Sequence, residues 1–270
     1  MKTNFSLLMS IYHKESVANF ENCMRSITAP YQTTPPTEII LIEDGPLPKE
    51  LKESIERWKE KKVNLITKPL SYNQGLAKAL NIGLQACSYE LVARMDTDDE
   101  AMPDRFEKQL AFMLKNPNIS VSSSYIHECD DELKKTLFKK ILPLEHKELK
   151  EFCKTRSPIN HPVSIFRKTD VLNSGGYPEI YPEDYALWGI MISKGYILGN
   201  IPHYLLKMRS GKSMLKRRGI KFLKGEIQIY KKFYSIGLIN KKELYKSIIA
   251  KIIVRAQPNF TKTLIYKFFR

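Results

Sequence analysis

The chain has 270 residues, of which 43% are hydrophobic, as is usual for a folded protein with a substantial core. Its four cysteines are scattered, which argues against a disulfide framework or a zinc site and favours a reducing compartment. The first apolar run is short and interrupted by serines, and no segment approaches the ~20 apolar residues that cross a bilayer. We therefore expect neither a signal peptide nor a transmembrane helix.

The net charge of +15 is concentrated at the C-terminal end. Residues 207–270 contain 18 basic and 2 acidic side chains, whereas residues 1–206 contain 26 basic and 27 acidic ones. A nearly neutral body is thus followed by a strongly basic segment. Such segments are typical of nucleic-acid-binding proteins and of helices that lie on anionic membranes.

In residues 1–115, short apolar runs alternate with stretches of helical spacing, which predicts a parallel sheet flanked by helices. The predicted strands are residues 5–11, 38–43, 63–66 and 91–96. Helical stripes follow them, containing among others Phe20, Ile55, Leu80 and Phe106. The fold class is therefore α/β.

Residues 116–209 are less regular and complete the same domain. They include strand-like segments at 120–126 and 162–166, a Gly175-Gly176 turn and a helix that begins near Pro182.

Residues 210–270 show three helical patterns with flanking lysines and arginines, so we predict a basic amphipathic tail. The first stripe is Ile220, Leu223, Ile227, Tyr230 and Tyr234; the second is Leu244, Ile248, Ile249 and Ile252; the third is Leu264, Ile265, Phe268 and Phe269.

Polar clusters follow three of the predicted strands: Ser10-Ile11-Tyr12, Glu43-Asp44-Gly45 and Asp96-Thr97-Asp98-Asp99. Ligands of open α/β sheets bind outside the carboxyl ends of the strands, so these clusters should meet in one crevice. In an extended strand Asp96 and Asp98 point to the same side and could share a divalent ion, with Asp99 opposite in a structural role. The alternative is a solvated acidic turn before the helix near Asp104.

Seven motifs occur in order within residues 2–209: SIYHKE, IEDG, NQGLAKALNIGL, ARMDTDD, PDRFEKQ, HPVSIFRK and GGYPEIYPEDYALW. With the basic tail, they resemble the family 2 inverting glycosyltransferases of GT-A fold, notably bacterial enzymes of O-antigen or capsule assembly. The resemblance implies a GT-A catalytic domain at 1–209, with a nucleotide-binding half (1–115) and an acceptor half (116–209). It implies transfer of a hexose from a UDP-sugar to a lipid-diphosphate-linked saccharide.

The resemblance also implies which residues bind the donor. Those that border the nucleotide or its sugar are Ser10, Tyr12, Asp44, Asn73, Gly75, Lys78, Arg94 and Asp96. Asp44 would accept a hydrogen bond from uracil, and Asp96 and Asp98 match the DxD element that binds Mn²⁺ or Mg²⁺. The alternatives are a turn residue for Asp44, a surface lysine for Lys78 and a structural ion pair for Arg94.

On the acceptor side, Glu183-Asp184 resembles the ED motif, in which the aspartate is the general base. The alternative is helix capping after Pro182. Trp188 lies four residues further on the same helix face, where it would stack on the acceptor sugar or belong to the core. His161 matches a pocket-lining position, although lone histidines are often structural.

The chain departs from the family in the region that follows the family's last core strand, where a histidine often supplies a third metal ligand. Residues 205–212 contain none, and His203 comes too early. Either water completes the coordination, or Arg209 and Lys212 contact the diphosphate, so the third ligand stays open.

Two other functions fit parts of the sequence, namely a sugar-nucleotide pyrophosphorylase and a basic nucleic-acid-binding protein. The first strand runs into SIYHKE and not into the Gly-rich loop of the former, and acidic clusters in the crevice oppose the latter. We therefore expect no nucleic-acid partner. The expected location is cytoplasmic, peripheral on the inner face of the cell membrane, with the tail on anionic lipid.

Overall fold

The computed structural model describes residues 3–61, 63–210 and 220–256. The strands are β1 (Ser6–Ile11), β2 (Glu38–Glu43), β3 (Leu65–Pro69), β4 (Leu91–Arg94), β5 (Glu100–Ala101), β6 (Ile119–Cys129), β7 (Thr136–Lys140), β8 (Ile165–Arg167) and β9 (Ile197–Arg209). The helices are α1 (Val17–Ile27), α2 (Lys49–Glu60), α3 (Leu76–Ala86), α4 (Arg105–Lys115), α5 (His146–Cys153), α6 (Lys168–Asn173), α7 (Glu183–Ser193), α8 (Ile220–Ser235) and α9 (Lys241–Ala256).

The nine strands form one mixed sheet in the order β3-β2-β1-β4-β8-β6-β9-β5, and β7 pairs with β6. Strands β3, β2, β1 and β4 are mutually parallel, as predicted for the first half of the chain. Strand β8 then runs antiparallel to both β4 and β6. The carboxyl ends of β1, β2 and β4 therefore meet at one edge, beside the second half of the chain.

Two hydrophobic clusters hold the helices to the sheet. One contains residues of α1, α2 and α4, with Phe20, Trp58 and Phe106 as large members. The other contains residues of α3, α5 and α7, including Leu84 and Trp188.

Several predicted strand boundaries were wrong. The segment predicted at 120–126 is Ile119–Cys129, and the one predicted at 162–166 is Ile165–Arg167. The third strand begins at Leu65 and continues to Pro69, because it lies at the sheet edge, where Thr67 and Lys68 pair with β2 without being buried. The fourth strand ends at Arg94 and not at Asp96, so the acidic motif lies in a turn.

Part of the predicted tail, residues 210–270, is described and packs against the preceding domain. Ile229, Tyr230 and Phe233 of α8 are completely buried and join the cluster that contains Trp188. The rings of Tyr185 and Phe233 lie 5.2 Å apart, which places α8 directly on α7. The buried face of α8 shares Tyr230 with the predicted stripe but not Tyr234, which is exposed.

Helix α9 packs on α8 with only one of its faces. Leu244 and Ile248 are partly buried against the core, whereas Tyr245, Ile249, Ile252 and Ile253 are exposed. The second predicted stripe is therefore divided between the two faces.

The third predicted stripe, Leu264 to Phe269, and Lys212 lie outside the described residues. Within the described ranges, no helix has the length and apolarity needed to span a bilayer.

Candidate functional site

Three strand ends carry the predicted donor residues to one edge of the sheet. Ser10 is half-buried near the end of β1, Tyr12 follows it with 43% of its surface exposed, and Asp44 comes directly after β2. Since β2, β1 and β4 are neighbours, these residues lie beside the acidic turn after β4. The fold therefore brings the three predicted polar clusters to the same edge of the sheet.

Asp44 is buried and bound by the segment that begins α3. Its carboxylate accepts hydrogen bonds from Gln74 N (2.6 Å), Gly75 N (3.1 Å) and Asn73 Nδ2 (3.0 Å). The anion at this helix N-terminus is thus the carboxylate of Asp44 itself, which the positive end of the helix stabilises. A carboxylate offers about four acceptor positions, so one is left for a further donor.

Lys78 lies one turn into α3 and is exposed. Its ammonium group is 3.4 Å from Glu179, which belongs to the loop before α7. An exposed pair of this kind contributes little free energy, so Lys78 can exchange this partner for an anion in the crevice.

Asp96, Asp98 and Asp99 all contribute to one oxygen cluster, in which their carboxylate oxygens lie within 4.8 Å of one another. The prediction that Asp99 faces away was wrong, because the chain turns after Arg94 and the strand alternation no longer applies. Asp99 is buried, and its Oδ1 accepts a hydrogen bond from Arg209 N (2.9 Å).

This cluster fits a divalent cation. Oxygen ligands are those that Mg²⁺ and Mn²⁺ prefer. The second oxygen of Asp99 is buried without a hydrogen-bond partner. Burial, followed by the charges of Asp98 and Asp96, raises the pKa of Asp99 well above its usual value. A cation would relieve that repulsion.

Arg94 is buried at the end of β4 and pairs with Asp96, with 2.5 Å between Nη1 and Oδ1. Burial lowers the pKa of Arg94, but the charge of Asp96 and contributions from Tyr177 and Glu183 outweigh it and raise the pKa overall. Of the two roles considered for Arg94, the structure shows the ion pair and not an exposed donor contact.

Two hydrogen bonds that the sequence does not predict hold the acidic turn in place. Thr97 Oγ1 donates a hydrogen bond to Glu15 in the loop after β1 (2.6 Å). Arg105 is completely buried and donates from Nη2 to the carbonyl of Arg94 (2.5 Å). Arg105 lies in the motif PDRFEKQ, but nothing in an amphipathic helical pattern indicates that an arginine faces inward.

A second group of carboxylates, Glu183 and Asp184, begins α7. Their carboxylate oxygens and a ring nitrogen of His161 lie within 4.8 Å of one another. Glu183 is buried, whereas Asp184 is partly accessible. Burial, and next the charge of Asp184, raises the pKa of Glu183 to about 7; burial also raises the pKa of Asp184, although Lys140 and Arg94 lower it in part.

His161 is buried in a short 3-10 turn, and its Nε2 lies 3.1 Å from the hydroxyl of Tyr177. Burial, with a smaller effect of Arg94, lowers its pKa well below the usual value, so the imidazole is neutral. Tyr177 is also buried and was not predicted as a site residue. It follows Gly175-Gly176, for which the sequence predicts only a turn.

Trp188 requires a correction. Its indole is completely buried in the core, 6.2 Å from the ring of His161, so it presents no face on which a sugar could stack. The core alternative is the one that the structure shows. Every residue from Tyr185 to Gly189 is buried, so the helix has no solvent-facing side at this point.

Arg209 is tied to the acidic turn. Its Nε donates to the carbonyl of Asp98 (2.5 Å), and its Nη1 donates to the carbonyl of Asp131. The chain end of β9 therefore closes one side of the oxygen cluster with an arginine, where the family often has a histidine.

The fold is similar to that of solved structures. The chain superposes on TarS 1-349 of S. aureus with a TM-score of 0.66, covering 94% of this chain and 71% of that fragment at 17% identity. It superposes on the mannosyltransferase PcManGT of Pyrobaculum calidifontis, solved with GDP-Man and Mn²⁺, with a TM-score of 0.64, covering 98% and 79% of the two chains at 14% identity. These likenesses confirm the predicted GT-A glycosyltransferase fold.

Residues 6–176 match the family model of Glycosyl transferase family 2, and the chain belongs to that family. It is 41% identical over 229 residues to the amylovoran biosynthesis glycosyltransferase AmsE of Erwinia amylovora, covering 84% of each chain. It is 38% identical over 266 residues to an Escherichia coli UDP-Gal:alpha-D-GlcNAc-diphosphoundecaprenol beta-1,3-galactosyltransferase, covering 97% and 95% of the two chains. The protein is therefore a glycosyltransferase, and the pyrophosphorylase alternative is abandoned.

Proposed function

We propose that the protein is an inverting hexosyltransferase that uses a UDP-sugar and a lipid-diphosphate-linked saccharide in bacterial surface-polysaccharide assembly. The activity for which the E. coli relative is named supports this donor and acceptor, because that relative matches almost the whole chain. The amylovoran enzyme supports the polysaccharide context.

One observation carries the proposal: the structure has two separate groups of carboxylates, Asp96-Asp98-Asp99 and Glu183-Asp184, and Asp184 in the second is partly accessible. Arg94 pairs with Asp96, and its charge also acts on Glu183 and Asp184, so the two groups are near the same guanidinium. An inverting transfer needs one group of residues at the leaving diphosphate and another at the acceptor hydroxyl.

In the proposed reaction Asp184 takes the proton of the acceptor hydroxyl as its oxygen forms a bond to the anomeric carbon. The bond from that carbon to the diphosphate oxygen breaks, and UDP leaves with the electron pair. The raised pKa of Asp184 makes it a stronger base than an ordinary aspartate. Glu183, more deeply buried, shapes the charge around it.

On the donor side, Asp44 would receive the uracil N–H at its remaining acceptor position, with Tyr12 beside it. Asp96 and Asp98 would hold Mn²⁺ or Mg²⁺, with Asp99 behind them. When bound, the cation offsets the negative charge of the departing diphosphate. Lys78 would leave Glu179 to meet the nucleotide phosphates.

A lipid-linked acceptor is consistent with a peripheral location on the inner face of the cell membrane, and we assign the contact to α9. Its outward face exposes Tyr245, Ile249, Ile252 and Ile253, and Lys242 and Lys246 lie exposed beside it. This combination is typical of helices that lie on anionic bilayers. Helix α9 packs on α8, and α8 packs on α7, which carries Asp184.

The proposal is tested by incubating the protein with UDP-glucose, UDP-galactose or their N-acetyl forms, and with Mn²⁺ or Mg²⁺. The acceptors are short-chain lipid diphosphates that carry GlcNAc or GalNAc, and products are read by mass spectrometry. We expect one donor and acceptor pair to gain a single sugar in β linkage. Hydrolysis of donors without transfer to any acceptor would contradict the proposal.

A further inference from the structure

A polar side chain on the donor-side helix α3 binds the backbone of the acceptor-side loop. Asn81 Nδ2 donates to the carbonyl of Tyr177 (2.8 Å), and Tyr177 N donates back to Asn81 Oδ1 (2.8 Å). The two residues are 96 positions apart in the chain. A two-way amide contact of this kind fixes both the position and the orientation of the peptide that it binds.

The loop residue that Asn81 holds is the one that contacts His161. The Tyr177 ring is buried, its hydroxyl lies 3.1 Å from His161 Nε2, and the two ring centroids are 5.4 Å apart. His161 in turn lies against Glu183 and Asp184. A displacement of the Tyr177 backbone would therefore reach the carboxylates through one intervening side chain.

The other end of the same helix belongs to the nucleotide side. Helix α3 begins after Gly75, where Asp44 accepts backbone hydrogen bonds, and Asn81 lies less than two turns further on. The other α3 contact to this loop, Lys78 with Glu179, is exposed and weak. The Asn81 carboxamide thus makes the main contact between helix α3 and the loop that contains Tyr177.

Gly176 shows how closely the loop and Asn81 fit. A Cβ atom at Gly176 would lie 2.5 Å from Asn81 Oδ1, a distance that forces one of them to move. The neighbouring Gly175 also has a positive φ, but a Cβ there would meet nothing within 4 Å. The chain therefore offers two adjacent glycines, only one of which touches Asn81.

We propose that Asn81 is a positioning residue for the acceptor-side site: it fixes Tyr177, which sets the place of His161 beside Glu183 and Asp184. This inference rests on the proposed transfer reaction for its kinetic consequence. Its structural consequence, the ordering of His161, does not depend on that reaction.

The kinetic test compares Asn81→Ala and Asn81→Asp with Gln85→Ala, an exposed position on the same helix. Displacement of reacting groups by about 1 Å can cost roughly a hundredfold in rate, so we expect kcat to fall by at least tenfold in both Asn81 variants. We expect the dissociation constant of UDP, measured by calorimetry, to change less than about twofold, because the Asp44 contacts stay in place. Asn81→Asp keeps the side-chain volume but sets a carboxylate against the Tyr177 carbonyl. A lower kcat in this variant would therefore exclude a cavity as the cause.

The structural test records ¹⁵N chemical shifts of the His161 ring, which report its tautomer, in the intact protein. We expect one neutral tautomer in the unmodified chain and in Gly175→Ala, and a mixture in Asn81→Ala and Gly176→Ala. If the His161 shifts in Asn81→Ala and Gly176→Ala are the same as in the unmodified protein, the inference is overturned. A normal kcat in Asn81→Ala would overturn it as well. Should the unmodified enzyme transfer no sugar, the proposed function fails, and the ¹⁵N measurement still decides the role of Asn81.

Discussion

The guanidinium of Arg94, 1% exposed, lies 2.5 Å from the carboxylate of Asp96, 39% exposed. A permanent positive charge is therefore held inside the protein next to a partly exposed carboxylate. Burial raises the pKa of Glu183 and of Asp184, and the charge of Arg94 offsets part of each rise. One buried side chain thus acts on both groups of carboxylates.

Arg94→Met keeps most of the side-chain volume and removes the charge. Without that charge, the pKa of Asp184 should rise, so the pH at which kcat reaches half its maximum should move upward. Arg94→Lys keeps a positive charge and should show a smaller move. The measurement is kcat against pH for the three proteins, and identical profiles would show that Arg94 has no electrostatic role.

Asp184→Asn should reduce kcat by about 10²–10⁴-fold, the range that a general base contributes. Binding of the UDP-sugar, measured by calorimetry, should be nearly unchanged, because Asp184 does not belong to the donor side. Near-normal turnover in Asp184→Asn would show that another group takes the proton.

Glu183→Gln should change the pH dependence of stability. The pKa of Glu183 is raised to about 7 in the folded protein, so folding favours its neutral form, and stability is lost as pH rises from about 4.5 to about 7. Each pKa unit corresponds to about 1.4 kcal/mol, so the loss is on the order of 3 kcal/mol. Glutamine is neutral at every pH, so the Glu183→Gln variant does not lose this stability.

Thermal unfolding of Glu183→Gln should therefore occur at a higher temperature than that of the unmodified protein at pH 8. Near pH 4 this advantage should disappear, because the glutamate is then neutral in both states. An advantage that does not depend on pH would point to packing and not to charge.

Asp98→Ala should abolish the part of UDP affinity that depends on Mn²⁺ or Mg²⁺. Asp104→Ala is the matched control, since Asp104 is an aspartate at the start of α4 that pairs with Lys108. Titration of UDP with and without EDTA gives the measurement. If EDTA leaves both affinity and rate unchanged in the unmodified protein, the assignment of a metal to this turn is wrong.

Lys242→Glu combined with Lys246→Glu should weaken binding to phosphatidylglycerol vesicles. Each lysine near an anionic surface contributes about 1 kcal/mol, so loss of two lowers the partition coefficient roughly 30-fold, and reversal of their charge lowers it further. Lys52→Glu with Lys147→Glu changes the net charge equally at exposed positions elsewhere. Equal vesicle binding of the two double variants would exclude α9 as the contact.

The gathering of polar residues at one edge of the sheet could be predicted because it depends on local sequence. Ser10, Asp44 and Asp96 lie at or just after the ends of apolar strands, and parallel strands bring such positions together. The inward-facing residues could not be predicted in the same way. Trp188 lies on a helix that is buried nearly all round, and Asn81 matters only through a contact 96 residues away. Asp99 joins Asp96 and Asp98 because the chain turns after Arg94, so the alternation of side chains along a strand does not predict where it points.

The close approach of α8 has a practical consequence for how the chain can be shortened or labelled. A Cβ atom at Gly189 would lie 2.0 Å from the Phe233 ring, and one at Gly225 would lie 1.6 Å from the carbonyl oxygen of Tyr181, two residues before Glu183. Removal of everything after residue 209 would uncover the back of the helix that carries Asp184. A fragment for crystallisation should accordingly keep α8, and a fluorophore placed on the exposed Tyr234 would report from a helix that packs on α7.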